Sequence, residues 1–194
     1  MPTRLTLRTE LLAMREEDLR VRQEHLQVGN LEGGYHPDMQ AIHEKNAFRM
    51  REIIAQYGWP TRTLVGVDGE EAAWLVVQHA IGEPNLLRGA VLLLEEAVAA
   101  GEAPGWQLAY LSDRIAFFEG RPQRYGTHFD WDDAGYNAVY RLEDPRRVDD
   151  WRMSVGLGTL CEVSRDQQTP MDQERLRQYR AGFAAWARTV GWRK

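Results

Sequence analysis

Cysteine is almost missing from this chain: Cys161 is the single one in 194 residues. That excludes an internal disulfide framework and any zinc site built on thiolates, and it fits a reducing cytoplasm. An excess of positive charge is missing too. Lys and Arg number 24 against 29 Asp and Glu, for a net charge of −5 and a pI near 5.6. Nothing in that balance draws the chain toward nucleic acid or an anionic membrane surface. No apolar run approaches the roughly 20 residues needed to span a bilayer. The opening stretch MPTRLTLRTELLAMREEDLR holds no uninterrupted apolar core of the kind a secretory signal carries. Also absent are a G-x-x-x-x-G-K-[ST] phosphate loop, a G-x-G-x-x-G fingerprint, H-E-x-x-H and G-x-S-x-G. No nucleotide cofactor is therefore expected, and the location expected is cytoplasmic.

What is present is a globular composition, 43% hydrophobic and 27% charged, at a length that suits one domain over residues 1–194. The rhythm is helical nearly throughout. Leu5, Leu12, Leu19 and Leu26 recur every seven residues, widened by Leu11 and Val28, and predict an amphipathic helix over about 5–28. Gly29–Asn30 and Gly33–Gly34 should break it. A second helix is expected from Pro37 to Tyr57, with Pro37 in its first turn and Gly58 just past its end. Further helices are expected over Leu86–Ala100, Trp106–Glu119, Val148–Val155 and Pro170–Val190, the last amphipathic and outside the core. One short extended ribbon is expected near residues 121–140, where Pro122, Gly126 and a Tyr/Thr/Phe alternation interrupt the helical pattern. The expected fold is a mainly α helical domain of six to seven helices. Seven tryptophans fit core and pocket walls.

The most informative stretch is Gly69–Ala80, GEEAAWLVVQHA. Asp68 is a candidate N-cap and Glu70 and Glu71 suit the positive end of a helix dipole. The run from Ala72 to Val77 is apolar on every side, so this helix should lie in the middle of the fold. It ends in Gln78 and His79, two polar side chains that an interior has to satisfy.

Four words in order, YGWPT at Tyr57–Thr61, AAWLVVQHA at Ala72–Ala80, LAYLSDR at Leu108–Arg114 and PQRYGTHF at Pro122–Phe129, resemble the bacterial family known as domain of unknown function 6624. The resemblance runs from about Leu7 to Leu160. It implies a shared helical fold and a shared polar cluster, and no activity.

Two functions of different class fit these residues. The first is a small-molecule enzyme working by acid/base chemistry, of hydrolase, lyase or cyclase type. Its pocket would lie between the ends of the second, central and fifth helices and the Gly126 loop. His79 is the acid/base, Asp113 its orienter and His128 a second proton-transfer group. Gln78, Arg114 and Tyr125 position the substrate, with Gln123, His43, Asn46 and Trp59 as further lining residues. Arg114 reads alternatively as a structural partner of Asp18 or Glu17. A divalent metal on His43, His79, His128 and Asp113 is the alternative to a cofactor-free site, without the short ligand-pair spacing that would mark one. The second function is a non-catalytic binding module. There the His/Asp/Arg cluster is structural and the first or last helix carries the interface, with homodimerisation through those terminal helices expected.

Overall fold

Leu7, Leu11, Met14, Asp18 and Val21 form the buried stripe of the first helix, α1 (Arg4–Gln27). They alternate by four and three residues, the spacing that keeps one face of a helix on a neighbour. Of the seven-residue series expected as the stripe, Leu5, Leu19 and Leu26 are exposed and Leu12 half-buried, whereas Leu11, which widened it, is fully buried. The two series lie side by side on the helix. The real one was masked because an aspartate occupies one of its positions.

The computed structural model describes residues 4–28, 35–161 and 165–194. The expected breaks at Gly29–Asn30 and Gly33–Gly34 lie outside them. Seven α-helices and one two-stranded antiparallel ribbon make up the described residues, a mainly α architecture as the periodicity predicts. They group into two compact units, Met1–Ala103 and Pro104–Lys194. No helix among the described residues is long and apolar enough to cross a membrane.

In the first unit α1 packs chiefly along α3 (Arg62–His79), and α2 (Pro37–Tyr57) packs on both. α2 begins with Pro37, capped by His36, whose Nδ1 accepts the Asp38 N–H at 3.2 Å. It ends at Gly58, whose φ of 73° a side chain would disfavour. α3 starts earlier than Asp68 because its first turn, from Arg62, is broken at Gly66. There φ 80° and ψ 169° lie in a region open essentially to glycine. Beyond the kink Asp68 accepts the Gly69 N–H at 3.0 Å and is gripped by Arg8 of α1. The apolar run then supplies Ala72, Ala73, Val76 and Val77 to the core, to which α2 adds Met50 and Ile53 and α4 (Pro84–Ala99) adds Leu87, Ala90 and Leu94. Each fully buried Leu or Val contributes about 1.5–3 kcal/mol.

The second unit opens with α5 (Gly105–Phe118). The ribbon falls inside the expected window: β1 (Phe129–Trp131) pairs with β2 (Asn137–Val139), Phe129 opposite Val139. Asp132 makes the turn by accepting the N–H groups of Ala134 and Tyr136, each at 2.9 Å. α6 (Val148–Ser154) follows, and α7 (Gln173–Thr189) is capped by Asp172. An aromatic cluster of Phe117, Phe118, Phe183, Trp186 and Trp192 holds this unit together.

Candidate functional site

Three helices of the first unit each deliver one polar side chain to a common point. Asp18 comes from the buried stripe of α1, His43 from α2 and His79 from the last turn of α3. Asp18 is 0% exposed and His43 8%, whereas the His79 side chain keeps 21% of its surface. A carboxylate buried without partners would cost many kcal/mol. Here His79 Nδ1 lies 2.9 and 3.0 Å from the two Asp18 oxygens. His43 Nε2 approaches Asp18 Oδ2 to 3.4 Å without forming a hydrogen bond. The two imidazole rings stand 5.2 Å apart.

The tautomers follow from what each partner can do. An ionised carboxylate only accepts, so the proton of His79 sits on Nδ1 and its Nε2 carries the lone pair. A lone pair on His43 Nε2 would face the same negative charge, so the proton belongs there. His43 Nδ1 then accepts from the Tyr35 hydroxyl, 2.6 Å away. Burial raises the Tyr35 pKa, as do the negative charges of Glu44 and Asp18, so the phenol stays a donor. Burial opposes the charge on Asp18, but the two imidazoles outweigh it and hold the carboxyl far below its ordinary range. In the sequence of groups Tyr35, His43, Asp18, His79, the Tyr35 hydroxyl donates to His43 and both imidazole N–H groups face the Asp18 carboxylate. On His79 it is Nδ1, not Nε2, that engages the carboxylate. The C-terminal end of α3 adds a field that favours an imidazolium there.

Other predicted residues of this unit lie near the same helices. Gln78 is buried with neither end of its amide hydrogen-bonded, and Asn46 donates weakly to the Met14 carbonyl at 3.4 Å while its Oδ1 has no partner. Trp59 is buried with its indole N–H unpaired. Each unpaired buried polar group is costly, about 1–3 kcal/mol. Between α1 and α3 an open groove of about 410 Å³ is lined by Arg15, Glu16, Leu19, Glu71, Trp74 and Leu75. Leu75 precedes His79 by one turn of α3, but Asp18, His43 and His79 are not among the residues that line the groove.

The expected orienter of His79 is corrected. Asp113 has its carboxylate filled by a different task, accepting the backbone N–H groups of Arg124, Tyr125 and Thr127 at 2.9–3.1 Å and the Thr127 hydroxyl at 3.0 Å. Burial raises its pKa against the pull of those donors. It is the anchor of the Gly126 loop. Gln123, fully buried, clasps the same loop: its Nε2 donates to the carbonyls of His128 and Tyr140, and its Oε1 accepts the His128 N–H. The Tyr125 carbonyl accepts from Arg152 at 2.8 Å. His128 lies flat on Phe117, ring centres 3.8 Å apart. Desolvation there, helped by the positive charge of Arg114, lowers its pKa to about 3. It stays neutral where a proton-transfer group should titrate. Glu17, one of the residues offered as a partner of Arg114, pairs with Lys45 at 2.7 Å. The four-residue metal set is likewise replaced: His43 and His79 meet Asp18, while Asp113 and His128 are engaged in the second unit.

Asp18 and Tyr35 were missed. Asp18 had a signal, its place in the 7, 11, 14, 18, 21 register. Tyr35, in a glycine-rich segment, had none.

The site and the helices around it define a mainly α protein with a buried His–Asp–His cluster. The chain belongs to the family of unknown function DUF6624, whose model matches residues 5–170. No curated protein and no solved structure matches it.

Proposed function

We propose that this chain is a small-molecule-processing enzyme of hydrolase, lyase or cyclase type, with His79 as its proton-transfer group. The observation that supports this is the two-oxygen contact of buried Asp18 with His79 Nδ1, which fixes one tautomer of a side chain that keeps 21% of its surface. This is the arrangement by which a carboxylate orients a catalytic imidazole. His43 and Tyr35 hold the far side of Asp18 and are positioning residues. Gln78 and Asn46 are candidates for substrate contacts, and the α1–α3 groove, with Trp74 as an apolar wall, is within the size range of small-molecule clefts (about 300–1,000 Å³).

The test is a panel of ester, amide, phosphoester and cyclic substrates assayed across neutral pH. Turnover should fall by about 100-fold or more in His79→Gln and fall strongly in Asp18→Asn, and it should survive in His128→Gln. Turnover indifferent to His79→Gln would end this reading.

One observation favours the second reading, a binding module: α1 presents Leu5, Leu19 and Leu26 outward. On that reading Leu19→Glu with Leu26→Glu abolishes self-association or partner capture, measured by sedimentation, and His79→Gln affects stability only. A chain that sediments as a monomer at micromolar concentration would count against the homodimer.

A further inference from the structure

The donor atoms of Asp18, His43 and His79 all lie within 4.8 Å of one another. A metal bound by imidazole and carboxylate at about 2.0–2.2 Å sets its ligand atoms about 3.0 Å apart at right angles and about 3.4 Å apart at the tetrahedral angle. Asp18 stands at such distances from both rings: 2.9 and 3.0 Å from His79 Nδ1 through its two oxygens, and 3.4 Å from His43 Nε2 through Oδ2. A second observation is independent of these distances. His43 Nε2 is buried, points at the carboxylate and has no hydrogen-bond partner, whereas its Nδ1 is held by Tyr35 at 2.6 Å. One ring nitrogen turned inward and the other fixed by an outer partner is how histidine ligands are held.

We infer that Asp18, His43 and His79 form a site for one first-row divalent transition-metal ion, zinc or ferrous iron by the class of its donors. Two imidazoles and one carboxylate on three separate helices make half of an octahedron, or three corners of a tetrahedron, and leave positions for water or substrate. Asp18 is already ionised, so binding needs only that each neutral imidazole move its proton to the outer nitrogen. On His43 that outer nitrogen faces the Tyr35 oxygen, which can accept it. Ion and relay protons are alternatives at His43 Nε2 and His79 Nδ1. The inference therefore goes beyond the proton-transfer reading and does not depend on it. With the ion in place, the acid–base group would be a water in one of its open positions.

The chain contains its own control. His25, His36 and Asp38 form a second triad, with His25 Nε2 3.1 Å and His36 Nδ1 3.9 Å from Asp38 Oδ2. But His36 Nδ1 already accepts the Asp38 N–H, and the two rings lie against each other at 3.8 Å. That triad is occupied with capping α2.

The experiment is titration of the full chain with Zn²⁺ by calorimetry and with Co²⁺ by visible absorption, alongside its melting temperature with and without Zn²⁺. One ion per chain is expected, with cobalt bands of four- or five-coordinate type and a Zn²⁺-dependent rise in melting temperature. Affinity should fall by about 10-fold or more in Tyr35→Phe and further in His43→Gln and His79→Gln. His25→Gln and His36→Gln should leave it unchanged. His79 is partly exposed, so His79→Gln is the variant to rely on if Asp18→Asn does not fold. No binding by the wild-type chain would overturn the inference, as would binding that survives His79→Gln and is lost in His36→Gln. Turnover lost in His79→Gln without any ion binding would keep the relay and discard the ion; ion binding without turnover would do the reverse.

Discussion

Asp18 and His79 stand 61 positions apart in the chain and meet through both carboxylate oxygens, at 2.9 and 3.0 Å. The meeting is built by helix register. Asp18 occupies a core position of α1, and His79 is the last residue of α3, the helix α1 packs on.

That pairing predicts a pH signature. Asp18→Asn should lower the unfolding free energy at pH 7 by about 3 kcal/mol, because it leaves two imidazoles facing a group that no longer carries charge. The sign follows from the depressed folded-state pKa of Asp18. Its contribution is complete above the unfolded value, near pH 4, and is lost as pH falls below that toward the folded value. Urea denaturation of wild type and variant should therefore give curves that differ most at neutral pH and converge as the pH drops below 4. A difference that stays constant down to pH 2 would mean that Asp18 is not stabilised as an anion.

The stripe of α1 can be checked by a matched pair. Leu11 is fully buried and Leu19 exposed. Leu11→Ala should cost about 2–5 kcal/mol, and Leu19→Ala within about 0.5 kcal/mol of nothing, both read from urea midpoints. Equal effects would show the register of α1 to be wrong.

Most helix limits were legible because they depend on local chemistry: Pro37 and Gly58 bracket α2, and Gly101 and Gly120 follow the ends of α4 and α5. The partner of His79 was not. A sequence shows which carboxylates are mid-helix, and Asp113 and Asp18 both are. It does not show which of them has backbone donors waiting. Asp113 was spent on the Gly126 loop, a tertiary arrangement with no local mark. Asp18 lies among Arg15, Glu16, Glu17 and Arg20, a charged stretch that by itself gives no sign of an inward-facing carboxylate. The apolar residues at 7, 11, 14 and 21 would have placed it inward.

Gly66 offers a test of the α3 kink. Its φ of 80° and ψ of 169° suit glycine alone, and a Cβ there would sit 3.3 Å from the Asp68 carboxylate that Arg8 grips. Gly66→Ala should destabilise the chain by about 1–3 kcal/mol, measured by thermal melting, with helix content by circular dichroism unchanged. A neutral outcome would mean the first turn of α3 can straighten.

Asp113→Asn separates anchoring from catalysis. Replacing one acceptor oxygen by an amide that donates would set it against the N–H groups of Arg124, Tyr125 and Thr127. Hydrogen exchange at those three amides should speed up, with a loss of about 1–3 kcal/mol. The pH profile of any turnover should be unmoved. A shifted profile would return Asp113 to the role of orienting His79.

His128 should behave as a core residue that resists acid. Its folded-state pKa is lowered to about 3, chiefly by desolvation, against an unfolded value near 6.5. Between those limits the unfolded chain binds the extra proton, so stability attributable to His128 is complete above about pH 6.5 and declines as the pH falls toward 3. His128→Gln loses the stacking on Phe117, worth about 0.5–1.5 kcal/mol, but also removes that acid penalty. The variant should therefore be less stable than wild type at pH 7.5, and the gap should narrow or reverse at pH 5 in urea titrations. A gap that widens on acidification would show that His128 carries a proton in the folded chain, and would restore it as a candidate for proton transfer.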